Sequence, residues 1–222
     1  FASLIIINIK AYIFAALVPG LFIWAFFGQI KAIKSKVLRI LLAPVILGVL
    51  FLVFSLLMRN VSQYMGVFGD LDATLAQASV VQQDLVRYEQ YGYNYYDIGK
   101  FEATPMGVLK KFPEATISGI YRPFLWEVTN PFILLAALEG TFLFLFMIYV
   151  IFKTGFLKFF KITFSEPFLI FSLIFVIIFG FGVGLATANF GALVRYKIPL
   201  LPFYVAGLFI IEYIYNKKKS LK

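Results

Sequence analysis

The sequence predicts an all-α integral membrane protein with about five transmembrane helices. Of its 222 residues, 62% are hydrophobic and only 14% are charged, a composition outside the usual range of soluble domains. Several apolar runs approach the ~20 residues that an α-helix needs to cross the hydrocarbon core of a bilayer. Lysines and arginines concentrate between and after these runs, as they do in cytoplasmic loops.

Five apolar segments form the predicted helices, and their ranges are 2–27, 40–58, 131–152, 167–188 and 198–215. The Pro19-Gly20 pair interrupts the first segment, which is therefore either one kinked helix or an interfacial segment followed by a span. Pro131 and Pro167 each open a span, where the missing backbone N–H costs nothing. The predicted units are two helices in 1–58, an extracytoplasmic segment in 59–130, and three helices with a basic tail in 131–222.

The charged residues divide between the two faces of the membrane. Eight of the acidic residues lie in segment 59–130. If the spans alternate, eleven cations fall on the opposite face, which the positive-inside rule makes cytoplasmic. These are Lys31, Lys34, Lys36, Arg39, Lys153, Lys158, Lys161, Lys217, Lys218, Lys219 and Lys222. The carboxyl terminus is therefore expected in the cytoplasm.

The long segment between the second and third spans exceeds the length of an ordinary structureless loop. Apolar residues recur at helical spacing over 72–90 and again over 105–120, where Pro113 should bend or divide the helix. We predict two amphipathic helices that roof the bundle on its outer face. Asp70 or Asp72 would cap the first one, although carboxylates at this spacing can also hold a divalent metal in sugar transferases.

The chain has no cysteine and no histidine, which excludes disulfides, Cys/His zinc sites and nucleophiles activated by histidine. Any chemistry must therefore use carboxylates, amines, guanidiniums or hydroxyls. The sequence assigns no catalytic residue, no metal site and no cofactor. Phe1 already lies within an apolar run, so we expect a fragment of a longer protein, and an active site could lie in the missing part.

Three charged residues, Glu139, Arg122 and Glu127, have no explanation as membrane anchors. Glu139 lies eight residues into the third span, about 12 Å at 1.5 Å per residue, and an ionisable group at that depth is a functional hypothesis by default. Its nearest candidate partners are Arg195 and Lys197, and both a structural ion pair and a functional site stay open. Arg122 precedes the third span with Glu127, where aromatic residues alone would suffice as an anchor.

Small residues recur at Gly180-x-x-x-Gly184 within the fourth apolar segment. This spacing allows two helix backbones to approach closely, so we predict a helix contact there rather than a nucleotide-binding loop. The expected partner is Ala136-x-x-x-Gly140 on the third span. A separate cluster of tyrosines could stack on a sugar or form an aromatic belt at the headgroup level. Its members are Tyr88, Tyr91, Tyr93, Tyr95 and Tyr96.

The stretch before the last span carries a specific motif. Arg195-Tyr196-Lys197-Ile198-Pro199-Leu200-Leu201-Pro202 resembles the Arg-Tyr-x-x-Pro-x-x-Pro motif in the carboxyl-terminal region of multi-pass bacterial membrane glycosyltransferases that draw sugars from polyprenyl-phosphate carriers. The resemblance implies a bacterial inner-membrane protein in which Arg195, and with it Lys197, meets the lipid-linked phosphate. A guanidinium binds phosphate through a planar fork of donors. The catalytic carboxylate of that family lies in an early outer loop that nothing in this chain matches.

We therefore expect the membrane part of a glycosyltransferase or surface-polysaccharide assembly protein, acting on lipid-linked sugars at the outer face. The partners would be membrane lipids and a polyprenyl-phosphate-linked sugar, with no nucleic acid. The expected substrate-binding residues are Arg195, Tyr196, Lys197, Arg122 and Glu139. A lipid or solute transporter or flippase and a non-catalytic membrane scaffold are the alternatives. Arg195 and Lys197 are expected at the outer face, where their charge need not be buried and where they could equally anchor to anionic headgroups.

Overall fold

The computed structural model describes residues 2–33, 48, 76–80 and 94–221, with side chains from residue 12 onward in the first range. Within these residues the chain is helical apart from its connections and one isolated antiparallel bridge between Tyr95 and Asn189. The helices are α1 (Ala2–Ala25), α2 (Phe27–Ala32), α3 (Pro105–Lys110), α4 (Phe112–Tyr121), α5 (Pro131–Thr154), α6 (Phe156–Thr163), α7 (Pro167–Ala186), α8 (Phe190–Lys197) and α9 (Leu201–Ser220). Residues 76–80 are also helical.

Three helical segments are long and apolar enough to cross a membrane. They are α5, α7 and the continuous segment Phe190–Ser220, which joins α8 to α9. The apolar part of α1, Tyr12–Ala25, is shorter. The all-α prediction is confirmed in this form, as a helical chain with three candidate spans. The predicted second span, and most of the helix predicted over 72–90, lie outside the described residues.

α7 is the central helix, and α1, α4, α8 and α9 all pack against it. α1 continues through Pro19 as a single helix, and Gly20 allows it to lie close to α7, because a Cβ there would meet the Phe171 carbonyl oxygen at 3.0 Å. Buried aromatic rings fill the centre, where Phe175 and Phe179 stack with their centroids 5.2 Å apart. A second apolar cluster, around Val150, lies where the carboxyl-terminal part of α5 meets α6 and α9.

The backbones of α4 and α7 touch. A Cβ at Gly119 would overlap the Gly180 carbonyl oxygen and lie 3.0 Å from the Gly184 nitrogen. A Cβ at Gly184 would overlap the Ala115 carbonyl oxygen and lie 2.8 Å from the Gly119 nitrogen. Ala115-x-x-x-Gly119 on α4 therefore faces Gly180-x-x-x-Gly184 on α7, which is the arrangement that small residues at this spacing permit.

The predicted close contact at Gly180 and Gly184 is thus confirmed, but its predicted partner on α5 is wrong. Gly140 of α5 lies instead against the carbonyl oxygen of Tyr121, at the end of α4. Small residues at this spacing show that another helix can approach closely, but they do not show which helix does so. α4 carries the same spacing at Ala115 and Gly119. α4 is consequently wedged between α5 and α7.

Of two predicted boundaries, the structure agrees with one and differs from the other. Pro113 divides the helix predicted over 105–120 as expected, because it lies in the first turn of α4 after α3 ends at Lys110. The last span was predicted to begin at 198, whereas its helix begins at Phe190. The Asn189 side chain caps it by accepting from the Gly191 nitrogen at 2.8 Å. Residues 195–197 consequently belong to a helix rather than to a loop.

Replacing Gly184 by Ala should destabilise the protein by about 2 kcal/mol, because the added methyl group has no room against the α4 backbone. Ala favours a helix interior over Gly by about 1 kcal/mol, so the loss must come from packing. Gly182→Ala is the matched control, since a Cβ at Gly182 meets nothing within 4 Å. Thermal unfolding in detergent should show a lower Tm for Gly184→Ala and an unchanged or higher Tm for Gly182→Ala. Equal Tm values for the two variants would contradict the contact.

Candidate functional site

Lys197 lies at the centre of a polar site where α8 ends and α5 begins. Its side chain is 0% exposed, and its Nζ is 3.2 Å from Oε1 of Glu139. The same Nζ donates to the carbonyl oxygen of Arg122 at 3.5 Å. Removing an ammonium group from water is costly unless a carboxylate and further hydrogen bonds compensate for it. The site supplies one carboxylate, that of Glu139, and one further hydrogen-bond acceptor, the Arg122 carbonyl oxygen.

The burial of Lys197 corrects an expectation. The sequence placed both Arg195 and Lys197 in an exposed position, where their charge need not be buried. Two residues along an α-helix point about 200° apart, so once this stretch is helical the two side chains cannot share one environment. Lys197 faces into the bundle, while Arg195 is exposed.

Glu139 has the partner that its depth in α5 suggested. Of the two candidates, Lys197 makes the ion pair, and Arg195 does not. The Glu139 side chain is 44% exposed, so the pair has one enclosed and one accessible member. The carboxylate therefore reaches the enclosed ammonium from the surface of the bundle.

Arg122 contributes its backbone to the Lys197 site and its side chain to a neighbouring cluster. The guanidinium carbon lies 5.1 Å from the ring centroid of Tyr96 and 5.6 Å from that of Phe124. Nη1 donates to the Asp97 carbonyl oxygen at 3.2 Å. Nε is 3.4 Å from Oε1 of Glu127, but it makes no aligned hydrogen bond, so this contact is an ion pair alone.

Glu127 completes that cluster, because its Oε2 accepts the Phe124 amide at 2.8 Å. The Arg122 and Glu127 side chains are each 17% exposed. The two charges that anchoring left unexplained therefore pair with each other and hold the turn between α4 and α5. The Arg122 side chain already has several partners within the protein. Its role in substrate binding stays a prediction.

Tyr96 fastens the chain before α3 to the end of α7. Its side chain is 2% exposed, and its hydroxyl lies 2.8 Å from Oγ1 of Thr187 and donates to the Gly184 carbonyl oxygen at 3.1 Å. Its ring stacks on Phe190 with a centroid separation of 5.6 Å. Burial raises the pKa of Tyr96, so the hydroxyl remains protonated and can donate.

The burial of Tyr96 also rules it out as a stacking surface for sugar. Tyr95 pairs with Asn189 through the isolated bridge and is partly buried. Tyr88, Tyr91 and Tyr93 lie outside the described residues. The anchoring role of Tyr96 was not predicted, and nothing distinguishes it in sequence from the other tyrosines of the cluster.

Arg195 and Tyr196 occupy the outward side of α8. Nε of Arg195 donates to the Gly191 carbonyl oxygen at 3.0 Å, which holds the guanidinium against its own helix. None of the ion pairs within the described residues includes Arg195. Tyr196 is 42% exposed. The structure therefore brings together Lys197, Glu139 and the Arg122 carbonyl, and it places Arg195 and Tyr196 on a different side of the same helix.

A pair of tyrosines was missed by the sequence reasoning. The hydroxyls of Tyr121 and Tyr204 lie 2.9 Å apart and link α4 to α9. One of the two hydroxyls donates to the other, and the second hydroxyl can donate to its own neighbour, which is the Met147 sulfur at 3.2 Å from Tyr121 or the Leu143 carbonyl oxygen at 3.4 Å from Tyr204. Tyr204 lies in an apolar run, and nothing in the sequence around Tyr121 indicates a tyrosine of α9 as its partner.

Within the described part of the chain, no group of three or more acidic residues could hold a metal ion. Asp70 and Asp72 lie outside that part. No family model, no curated protein and no solved structure matches the chain. Inferences about function therefore rest on the site itself.

Replacing Glu139 by Gln should lower the free energy of unfolding by about 3 kcal/mol, because it leaves the enclosed Lys197 ammonium without a carboxylate. The double variant Glu139→Gln/Lys197→Met should recover most of that loss, since it removes the unpaired charge as well. Thermal unfolding of the three proteins in detergent gives the comparison.

Glu114→Gln is the control, because Glu114 also pairs at 3.2 Å and is exposed to nearly the same extent as Glu139 (47% against 44%), whereas its partner Lys111 is 22% exposed and not enclosed. Removing an exposed pair should change stability by less than about 1 kcal/mol. The buried pair would be contradicted if Glu139→Gln and Glu114→Gln behaved alike, or if the double variant were no more stable than Glu139→Gln.

Proposed function

We propose that this chain is the membrane part of a glycosyltransferase or surface-polysaccharide assembly protein that acts on polyprenyl-phosphate-linked sugars at the outer face of a bacterial inner membrane. The observation that carries the proposal is the state of Arg195. It is an exposed guanidinium, fixed through Nε to the Gly191 carbonyl, with no carboxylate partner among the described residues. Its remaining donors suit the oxygens of a phosphate.

The fixed geometry of α8 supports this assignment. Lys197 is enclosed and neutralised by Glu139, so it holds the helix end in place, and Arg195 is left as the cation that can meet a ligand. Pro199 lies in the 3-10 turn Ile198–Leu200 that joins α8 to α9, and Pro202 lies in the first turn of α9. Both restrict the backbone beside the motif. A phosphate would therefore bind to a segment whose backbone is already fixed.

The proposed topology has five spans with a cytoplasmic carboxyl terminus. The charges at the ends of the three candidate spans support it, because Glu139 and Arg195 lie near one end of the bundle and the exposed lysines of α6 and of the α9 terminus lie near the other. The positive-inside rule makes the lysine-rich end cytoplasmic. Arg195 would then lie at the outer headgroup level, where a lipid-linked phosphate is presented.

The proposal predicts that the protein binds the phosphate of a polyprenyl carrier through Arg195. The full chain in phosphatidylcholine nanodiscs should bind polyprenyl monophosphate in preference to the polyprenol of the same length. Arg195→Ala should weaken binding about tenfold or more, since a hydrogen bond to a charged group contributes about 1.5–3 kcal/mol. Arg195→Lys should retain part of the affinity, because it keeps the charge but loses the fork.

Lys110→Ala is the matched control, because Lys110 is also exposed and its loss changes the net charge equally. The phosphate assignment fails if polyprenol competes as well as its phosphate, or if Arg195→Ala binds like the wild-type chain. In the full-length protein, glycan synthesis and membrane insertion should be measured together. Wild-type levels of both in Arg195→Ala would also exclude the role.

A transporter or flippase is the second candidate, and the buried Lys197–Glu139 pair favours it. Ionisable residues inside spans are a common feature of ion and substrate pathways. α7, however, carries no charged residue over Pro167–Ala186, so a polar pathway would have to avoid the central helix. Solute uptake by proteoliposomes that is abolished by Glu139→Gln, with no loss in Arg195→Ala, would favour transport over the glycosyltransferase.

A further inference from the structure

α6 lies at the opposite end of the bundle from Lys197 and turns the chain from α5 back into α7. The corner before it is Gly155, whose positive φ of 79° favours glycine. α6 packs against α5 and α9. From Glu139 to the end of α5 is fifteen residues, or about 22 Å along the helix. The surface that α6 presents is therefore separate from the polar site.

The eight residues of α6 divide into three sectors around the helix axis, at about 100° per residue. Phe159, Ile162 and Thr163 are buried and form the sector that faces the protein. Phe156, Leu157 and Phe160 are exposed and form an adjoining apolar sector. Lys158 and Lys161 are exposed and occupy the sector that remains. The three sectors therefore differ in exposure and charge, since one is buried, one is exposed and apolar, and one is exposed and basic.

The exposed apolar sector is continuous along the helix. The rings of Phe156 and Phe160 lie 4.9 Å apart, and Phe164 extends the row at 6.2 Å from Phe160. Leu157 is 83% exposed. This row adjoins the carboxyl end of the membrane-spanning helix α5, so it lies at the level where acyl chains meet headgroups.

The basic sector continues from α6 onto α9. The Lys158 ammonium lies over the ring of Tyr215 at 5.8 Å from its centroid. Tyr215 precedes Lys217, Lys218 and Lys219 in the last turns of α9, and these three lysines are exposed. The basic face defined by Lys158, Lys161 and Lys217–Lys219 therefore joins two helices.

The nearby acidic residues leave this basic face with a large positive excess. Glu212 forms an ion pair with Lys153, a lysine outside the face. Glu166 is exposed at the start of α7. Within the described residues, five lysines thus stand beside one exposed carboxylate. A surface of this kind needs a partner that carries several negative charges.

We propose that α6 and the end of α9 form a docking surface for anionic phospholipid at the cytoplasmic leaflet. The apolar row enters the acyl region, and the basic face binds the headgroup phosphates. The juxtaposition of the two selects a lipid over a soluble anion, since a soluble anion would use the lysines and leave the phenylalanines in water. The lipid contact uses none of the residues around Lys197, and only its assignment to the cytoplasmic leaflet rests on the topology given under the proposed function.

Lipid retention by the full chain tests the proposal. The protein is purified from vesicles of equal parts phosphatidylglycerol and phosphatidylcholine, and its retained lipids are counted by native mass spectrometry. The wild-type chain should retain phosphatidylglycerol preferentially. Lys158→Gln/Lys161→Gln should lower that preference roughly twenty-five-fold, given about fivefold per lysine near a membrane surface.

Lys100→Gln/Lys110→Gln is the matched control, since both lysines are exposed, lie outside the basic face, and remove the same charge. This control should keep the wild-type preference. The proposal is overturned if the two double variants lose the preference equally, because net charge would then explain it, or if neither loses it.

A second measurement does not depend on the folding of those variants. The chain has no cysteine, so a nitroxide label can be placed at Leu157→Cys or at Lys161→Cys in the otherwise wild-type protein. In vesicles, the label at 157 should be more accessible to oxygen than to a water-soluble nickel chelate, and the label at 161 should show the reverse. Equal accessibility of the two labels to the chelate would show that the apolar row does not enter the membrane.

Discussion

The contact between α4 and α7 leaves no space for a side chain between Gly119 and Gly184, and the polar end of the bundle depends on this approach. Because α4 lies directly on α7, the chain that follows it emerges beside α8, where the Arg122 carbonyl meets the Lys197 ammonium. In a bilayer, where lipid is as apolar as the helix surface, such close packing is a main source of helix association. A wider separation would remove the carbonyl from Lys197 and leave its ammonium with Glu139 as its remaining polar partner.

Tyr96 and the Arg122–Glu127 cluster extend this arrangement outward. Tyr96 reaches back to the carbonyl oxygen of Gly184, a residue of the α4 contact. Arg122 lies over the Tyr96 ring and binds the Asp97 carbonyl. These contacts therefore connect residues 94–127 to one another and to the end of α7. The site is one connected structure, and the cation it leaves without a carboxylate partner is Arg195.

The sequence predicted the helix boundaries that are marked by proline, because proline acts locally. Pro131 and Pro167 start α5 and α7, and Pro113 separates α3 from α4. Hydropathy identified the last three spans for the same reason. The start of the final helix was missed, because α8 is amphipathic in sequence and its cap, Asn189, precedes the apolar run.

The site was predictable only in part, because most of its contacts join distant parts of the chain. The depth of Glu139 indicated a cationic partner, and Lys197 was one of two candidates. The enclosure of Lys197 was not predictable, since it depends on the rotation of α8 and on the α4 contact. Likewise, Gly180 and Gly184 indicated a close helix, but Ala115 and Gly119 as their partners required the tertiary structure.

A cysteine pair tests the docking of residues 94–122 on the spans most directly. Tyr95 and Asn189 lie opposite each other, flanked by hydrogen bonds from the Tyr96 nitrogen to the Ala188 oxygen at 2.9 Å and from the Phe190 nitrogen to the Asn94 oxygen at 3.2 Å. Such an antiparallel pair has its Cα atoms about 4.5 Å apart, within the range of a disulfide.

In a chain without native cysteine, Tyr95→Cys/Asn189→Cys should form an intramolecular disulfide under mild oxidation and lose both reactive thiols. Tyr95→Cys/Lys161→Cys, with its cysteines at opposite ends of the bundle, should keep both. If the first pair stayed as reactive as the second, the segment would not lie on the spans, and the enclosure of Lys197 would have no structural basis.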